Sequence, residues 1–319
     1  MIDILTVGEL LIDLTQTHVD EGHVRHYAAN PGGAPANVAV AAARLGARTA
    51  FAGKVGSDAF GADLRAVLER SGVDTSALYA DKTALTTQAV VSVAPSGERA
   101  FAFYRSPGAD TLLTEEEVVR ALTLRPRIVH FGSVSLTAEP ARSATLTAAR
   151  LGRLQGALVS YDPNYRANLW PDEATALTWM KRPLPMVDVL KVSDEELPLL
   201  TGTDDPEVGS ALLMREGIRL VVITLGSRGV FYRMGSSIGY VAGVSVRVAD
   251  TNGAGDAFHG ALLSRLALRE GSPLVGLAAP ELEQMLRFAN RAAALTCTRS
   301  GAIPAMPTLP EVEAFANNS

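Results

Sequence analysis

The densest chemistry in the chain lies in nine residues, Asp250-Thr251-Asn252-Gly253-Ala254-Gly255-Asp256-Ala257-Phe258. A strand-like run at 244–248 precedes them and a helical pattern over 257–268 follows. Small residues at Gly253, Ala254 and Gly255 let backbone N–H groups come close to an anion. A helix N-terminus adds unpaired donors and about half a positive charge. Asp256 then stands where a carboxylate can take a proton from a hydroxyl held in front of those donors. An anion hole beside a base is a geometry for phosphoryl transfer. The same residues also read as a plain helix cap, with the glycines turning and Asp256 capping.

The rest of the chain must supply a frame for this segment. Residues 2–7, 49–55, 127–131, 157–161, 187–192 and 220–224 are mostly apolar and rich in Val and Ile, as buried strands are. Between them, 36–45, 59–71, 139–152 and 207–215 follow a 3.6-residue period. The alternation predicts an α/β fold, a three-layer Rossmann-like, mostly parallel sheet with helices on both faces. Ligands then bind at the carboxyl ends of the strands. Two stretches, 11–27 and 87–105, break the rhythm. Within the second, 87–94 and 99–104 flank the turn sequence Pro95-Ser96-Gly97-Glu98. These stretches predict a small β-sheet lid, formed by about 11–30 and 87–107, on a single domain spanning 1–319.

Composition excludes several classes. A chain of 319 residues exposes about 13,000 Å² when folded and needs no staple to build a core. Its one cysteine, Cys297, rules out an intramolecular disulfide or a multi-Cys metal site and is expected in the core. With 29 basic against 34 acidic residues, a net charge of −5, neither nucleic acid nor an anionic membrane is an expected partner. The first residues carry Asp3, Glu9 and Asp13 without a basic leader, so a signal peptide is not expected and the cytoplasm is. His18, His23 and His26 fit no helical ligand pair and are expected to be exposed in the lid. His259 is expected to face away from the Asp256 site. Gly46 to Lys54 fails as a Walker loop, because Val55 stands where Ser or Thr must reach Mg²⁺. No Gly-x-Gly-x-x-Gly follows the first strand, which disfavours a dehydrogenase-type dinucleotide fold.

Residues 250–258 resemble the C-terminal signature of the ribokinase-like, PfkB-type sugar kinases. Pro31-Gly32-Gly33-Ala34-Pro35-Ala36-Asn37 resembles their N-terminal signature, and Val222-Ile223-Thr224-Leu225-Gly226-Ser227-Arg228-Gly229 their nucleotide-binding strand and turn. Lys191-Val192-Ser193-Asp194-Glu195-Glu196-Leu197 sits where they carry an Asn-x-x-Glu metal motif, with Ser193 in place of the Asn. Gly8-Glu9 and Gly301-Ala302-Ile303-Pro304 extend the likeness over nearly the whole chain. Smaller matches, Gly8-Glu9-Leu10-Leu11-Ile12-Asp13, Phe103-Tyr104-Arg105, His130-Phe131-Gly132-Ser133 and Tyr161-Asp162-Pro163-Asn164-Tyr165-Arg166, resemble the fructokinase branch.

The resemblance implies ATP and Mg²⁺ as cofactors and fructose as the sugar, phosphorylated to fructose 6-phosphate. Asp256 is then the base, beside the anion hole of Gly253, Ala254 and Gly255. Asp13, Gly33, Asn37, Arg105 and Arg166 hold the sugar; Asp and Asn suit vicinal hydroxyls because they accept or donate in pairs. Ser193, Thr224, Gly226, Gly229 and Asn290 line the nucleotide. Glu196 acts on Mg²⁺ through water, since that ion keeps much of its hydration shell. Asp250 is implied near a monovalent cation such as K⁺. A 2-keto-3-deoxygluconate kinase, or another PfkB-type sugar or nucleoside kinase, is the nearest alternative, and a non-catalytic sugar or nucleotide sensor is the alternative of another class. Long edge strands are normally covered or paired, so a homodimer through the lids is expected.

Overall fold

The computed structural model describes residues 2–93 and 99–317. The turn expected at Pro95-Ser96-Gly97-Glu98 lies outside the described residues. In chain order the strands are β1 (Ile4–Val7), β2 (Leu11–Val19), β3 (Arg25–Gly32), β4 (Thr49–Gly56), β5 (Val73–Asp74), β6 (Leu78–Asp81), β7 (Gln88–Val93) and β8 (Arg99–Tyr104). Then follow β9 (Ile128–Gly132), β10 (Leu158–Asp162), β11 (Val189–Ser193), β12 (Leu220–Thr224), β13 (Gly229–Met234) and β14 (Ser237–Ala242). The main sheet runs β14-β13-β12-β11-β10-β9-β1-β4-β5, with β6 also on β4. Its ladders from β5 to β12 are parallel; only β12–β13 and β13–β14 are antiparallel.

The period-2 pattern of the strands divides the core in two. Leu5, Val7, Val129, Phe131, Val159, Tyr161, Leu190 and Val192 point to one face. There they meet α3 (Glu115–Ala121), α4 (Ala141–Leu154), α5 (Glu173–Lys181), α6 (Leu197–Thr201) and α7 (Pro206–Met214). Ile4, Ile128, Leu158, Val189, Leu220 and Val222 point the other way. They meet α1 (Ala34–Arg44), α8 (Ala254–Ala267) and α9 (Ala279–Cys297), and Phe51 and Val55 cluster with Leu64 and Leu68 of α2 (Ala59–Arg70). Strands buried on both faces read as continuous apolar runs, which is why they were visible as such. From β1 the chain goes one way to β4 and later the other way to β9, so a crevice opens at the strand ends beside β1.

The accessory strands form a separate four-stranded sheet, β3-β2-β7-β8. Residues 11–27 are one strand and the start of a second, paired antiparallel, and the two hairpins are joined by a parallel β2–β7 ladder. The strand expected at 244–248 is absent. The chain there is half-exposed or exposed, and the sheet ends at β14 with no partner offered beyond it. Apolar alternation without a neighbouring edge does not make a strand. Among the described residues no helix is long and apolar enough to cross a membrane.

Candidate active site

Two helix starts face each other across the crevice. Gly33, at φ 111°, turns β3 into α1. A Cβ there would stand 2.4 Å from the Glu9 carbonyl oxygen, so the position admits only glycine. Asn37 lies one turn into α1. Gly253, at φ 76°, turns the chain into α8 and leaves Ala254, Gly255 and Asp256 in its first turn. The helices pack closely because Gly260 has no side chain; a Cβ there would reach Ala41 Cβ at 2.6 Å. The result is one hydrogen bond across the site, from Asn37 Nδ2 to Asp256 Oδ2 at 2.8 Å. The Asn37 Oδ1 is buried without a partner.

Asp256 is half-buried, and its removal from water pushes its carboxyl up to about 6 against the pull of Asn37; Asp162 adds to the rise, while Lys191 and Arg166 oppose it. A carboxylate titrating just below neutrality is well matched to a proton-accepting role. Asp256, Asn37, Gly33, Asp13 and Arg166 line one cavity, with Glu9 and Phe103. Burial lifts Asp13 to about 6 as well, Arg166 pulling it down and Asp256 pushing it up. Three carboxyl groups, of Glu9, Asp13 and Asp256, and one guanidinium thus share a small pocket. Arg105 is not brought to it. Its Nε donates to Asp110 Oδ2 at 2.8 Å, Nη1 to Thr137 Oγ1 at 2.6 Å and Nη2 to the Val134 carbonyl at 3.2 Å. Its fork is spent inside the protein, at the foot of the accessory sheet.

The carboxyl ends of β10, β11 and β12 make the other half of the site. Glu196 is buried; Oε1 accepts the Tyr165 N–H at 2.7 Å and Oε2 the Ser193 N–H at 2.9 Å. The carboxylate therefore ties the loop after β10 to the end of β11. Ser193 Oγ also bonds Glu196 Oε2 at 3.2 Å. Thr224 ends β12, and Gly226, at φ 58°, opens the turn that follows with empty space around it. Gly229 closes that turn at φ 103°, with β14 backbone within 2.2 Å of where a Cβ would be. Asn290, on α9, donates to the Ala242 carbonyl at 2.9 Å, so its amide pins the end of β14. Asp250 accepts the N–H groups of Asn252 at 3.0 Å and Gly301 at 3.1 Å.

Below these loops runs a buried polar chain. Lys191 Nζ donates to Asp162 Oδ2 at 2.9 Å, and both side chains are under a tenth exposed. Burial works against each charge, yet the pairing outweighs it: Asp162 is held below the ordinary carboxylate range and Lys191 above the ordinary lysine range. His259 does not face away, as the sequence suggested. It is fully buried, with Nε2 2.9 Å from Ser160 Oγ and Nδ1 3.7 Å from Asp162 Oδ2. A helix lying on a sheet turns every inner position inward, and 259 is one of them. In the accessory sheet, His18 and His26 stack with ring centroids 4.3 Å apart, and His26 pairs with Asp20 at 2.9 Å. Cys297 is half-buried at the end of α9 rather than in the core.

Residues 1–309 match the pfkB family carbohydrate kinases. The chain belongs to that family. It is 44% identical over 312 residues to fructokinase-1 of Oryza sativa subsp. japonica, covering 97% of this chain and 96% of that one. Among solved structures it is similar to the Xylella fastidiosa fructokinase with bound ATP, at 35% identity and a TM-score of 0.92, covering 99% and 98% of the two chains. It is also similar to the Vibrio cholerae O395 fructokinase with fructose, ADP and a calcium ion bound, at 35% identity, a TM-score of 0.87 and coverage of 98% and 99%. A double-mutant form of the latter holds fructose, ADP and a potassium ion.

For a pfkB kinase, several residues of this centre were passed over in the sequence. Glu9 lines the cavity; its Oε1 accepts the Ala34 N–H at 2.9 Å, its Oε2 has no partner, and burial lifts it to about 7. Asn164 lines the cavity in a left-handed conformation, φ 46°. Lys191 was a charge inside an apolar strand pattern. A lysine in a strand buried on both faces requires a buried anion, and that alone was a signal.

Proposed function

We propose that this protein is a fructokinase that transfers the γ-phosphoryl of ATP to the primary hydroxyl of fructose, giving fructose 6-phosphate and ADP. The observation that carries this reading is the Asp256–Asn37 pair in a cavity shared with Asp13 and Arg166. Fructose lies there with its hydroxyls against Asp13, Asn37 and Gly33. Asp256 accepts the proton as the hydroxyl oxygen attacks phosphorus. The N–H groups of Gly253, Ala254 and Gly255 face the charge that develops on the transferred group. Asp13 favours a neutral sugar, because a substrate carboxylate beside it would be repelled. This separates fructose from 2-keto-3-deoxygluconate. A sensor has no need of a base at Asp256.

The nucleotide lies along Ser193, Thr224, Gly226 and Gly229. Asn290 supports the purine end by holding β14 rather than by presenting a free amide, since its Nδ2 is taken by backbone carbonyls. Glu196 Oε2 accepts both the Ser193 N–H and its hydroxyl, while Oε1 accepts one backbone N–H and keeps a lone pair for water of a Mg²⁺ hydration shell; the oxygen-only donor set of Glu196 and Ser193 fits that ion. Bound Mg²⁺ would neutralise phosphate charge. Asp250 and the 297–301 backbone are where a monovalent cation such as K⁺ would sit. Arg105, closed in on Asp110, orders the base of the lid instead of touching sugar. The accessory sheet acts as the lid of a single domain and as the surface of a homodimer, in the cytoplasm.

An ADP-release assay over fructose, ribose, 2-keto-3-deoxygluconate and nucleosides tests the reading. Fructose is expected to give the highest kcat/KM. A higher value for 2-keto-3-deoxygluconate in the same buffer would overturn the substrate, and no ATP turnover with any sugar would overturn the kinase.

A further inference from the structure

Gly255 is a glycine for which the backbone gives no reason. Unlike Gly253 it has no positive φ, and in the first turn of a helix alanine costs less than glycine. What lies against the place of its missing side chain is the Lys191 ammonium: a Cβ at 255 would stand 3.2 Å from Nζ, closer than an ordinary contact, and 3.9 Å from Cε. The ammonium is thus set against the very turn whose N–H groups form the proposed anion hole. Its position is fixed from behind by one bond, to Asp162 Oδ2 at 2.9 Å. An ammonium carries three donors, and among the described residues Asp162 is the only hydrogen-bond partner of Nζ. The group is close enough to both Glu196 and Asp256 to feel their charges, so it stands between the proposed metal side and the proposed base.

We propose that Lys191 is a further catalytic residue, whose ammonium, clamped by Asp162 beneath Gly255, bonds the phosphoryl group in transfer. This rests on the kinase reading above. As the sugar oxygen forms its bond to phosphorus, the bond from phosphorus to the β-phosphate oxygen breaks and its electron pair stays on ADP. The hydroxyl proton goes to Asp256. Lys191 gives up no proton; its two unspent N–H groups meet oxygens of the moving group. A fixed cation at that point needs no reorganisation during the reaction, and for such groups the effect is large. Burying a lysine is unfavourable unless paired, and Asp162 supplies the pairing without consuming the remaining donors.

The test uses two variants. Lys191→Met alone leaves Asp162 buried and unpaired, which endangers the fold. The double variant Asp162→Asn/Lys191→Met replaces the pair with neutral side chains of similar shape. Calorimetric binding of the Mg²⁺ complexes of ADP and of a β,γ-imido ATP analogue is measured beside kcat with fructose. The folded double variant is expected to lose about 10²–10³-fold in kcat and about tenfold in analogue affinity, the loss of a charged hydrogen bond, while ADP binds within about threefold of wild type. Gly255→Ala, which pushes the ammonium aside, is expected to move the same quantities in the same direction. A folded double variant that keeps the wild-type ratio of analogue to ADP affinity overturns the proposal, whatever its kcat. Should the wild type phosphorylate no sugar, the kinase reading fails, but the analogue-to-ADP ratio still decides whether Lys191 reads the terminal phosphoryl.

Discussion

Asp256→Asn should inactivate this protein and stabilise it at once. The carboxyl of Asp256 moves from 3.8 to about 6 on folding, chiefly through burial. At 1.36 kcal/mol per pH unit, its charge costs the folded state about 3 kcal/mol at neutral pH. The sign follows from linkage: a raised carboxyl favours the protonated fold, so this contribution is intact below pH 3.8 and is lost as pH rises through about 6. An amide at 256 carries no charge to bury. The unpartnered Asn37 Oδ1 is available to accept the new N–H after a flip of the Asn37 amide, so the bond between α1 and α8 survives. For a chain of 319 residues, 3 kcal/mol corresponds to a rise in Tm of about 4 °C. At pH 5 the gain should shrink to about half. Loss of the base should lower kcat on the order of 10²–10⁴-fold. Scanning calorimetry at both pH values and a coupled ADP assay read the two effects. Turnover within about threefold of wild type refutes the base; a lower Tm at pH 7.5 refutes the burial argument.

The other expectations use the same cavity. Wild-type kcat/KM should fall at least about tenfold between pH 7 and pH 5, since a base titrating near 6 is useful only when ionised; a flat profile over that range would contradict it. Asp13→Asn should raise the fructose KM more than the ATP KM and make the acid limb less steep, because Asp13 titrates in the same range; steady-state kinetics at several pH values check this. Gly33→Ala should cost more than about 2 kcal/mol, because φ 111° and the Glu9 carbonyl 2.4 Å from the new Cβ both oppose it, and a urea midpoint equal to wild type would count against it. A dimer through the accessory sheets predicts that sedimentation at micromolar concentration gives twice the chain mass.

The architecture was legible because parallel strands buried on both faces must be apolar along their length, and six such runs stood out. Their order in the sheet was not, since nothing local to 128–132 says that it lies beside β1 rather than β4. The strand expected at 244–248 did not form because the sheet offers no edge beyond β14 to receive it. At the site, Asp256, Asn37 and Gly33 were readable from helix-start chemistry and family likeness. Arg105 was not: its three-way engagement with Asp110, Thr137 and Val134 depends on contacts across the fold. The orientation of His259 was not legible, because its helix is buried on both sides and periodicity there carries no direction.

The bond between Asn37 and Asp256 joins residues 219 positions apart, and this has a meaning in time. At about 5–20 residues per second, a ribosome takes roughly 10–45 s to travel from one to the other. For that interval α1 is complete while α8, the helix that should cover it, is unmade. Val38 and Ala42, which end fully buried against α8 and its neighbours, then have only the young sheet to shelter them. The helix that carries the proposed base is also the one that conceals this apolar stripe. An emerging chain therefore covers this stripe only as it gains the proposed base.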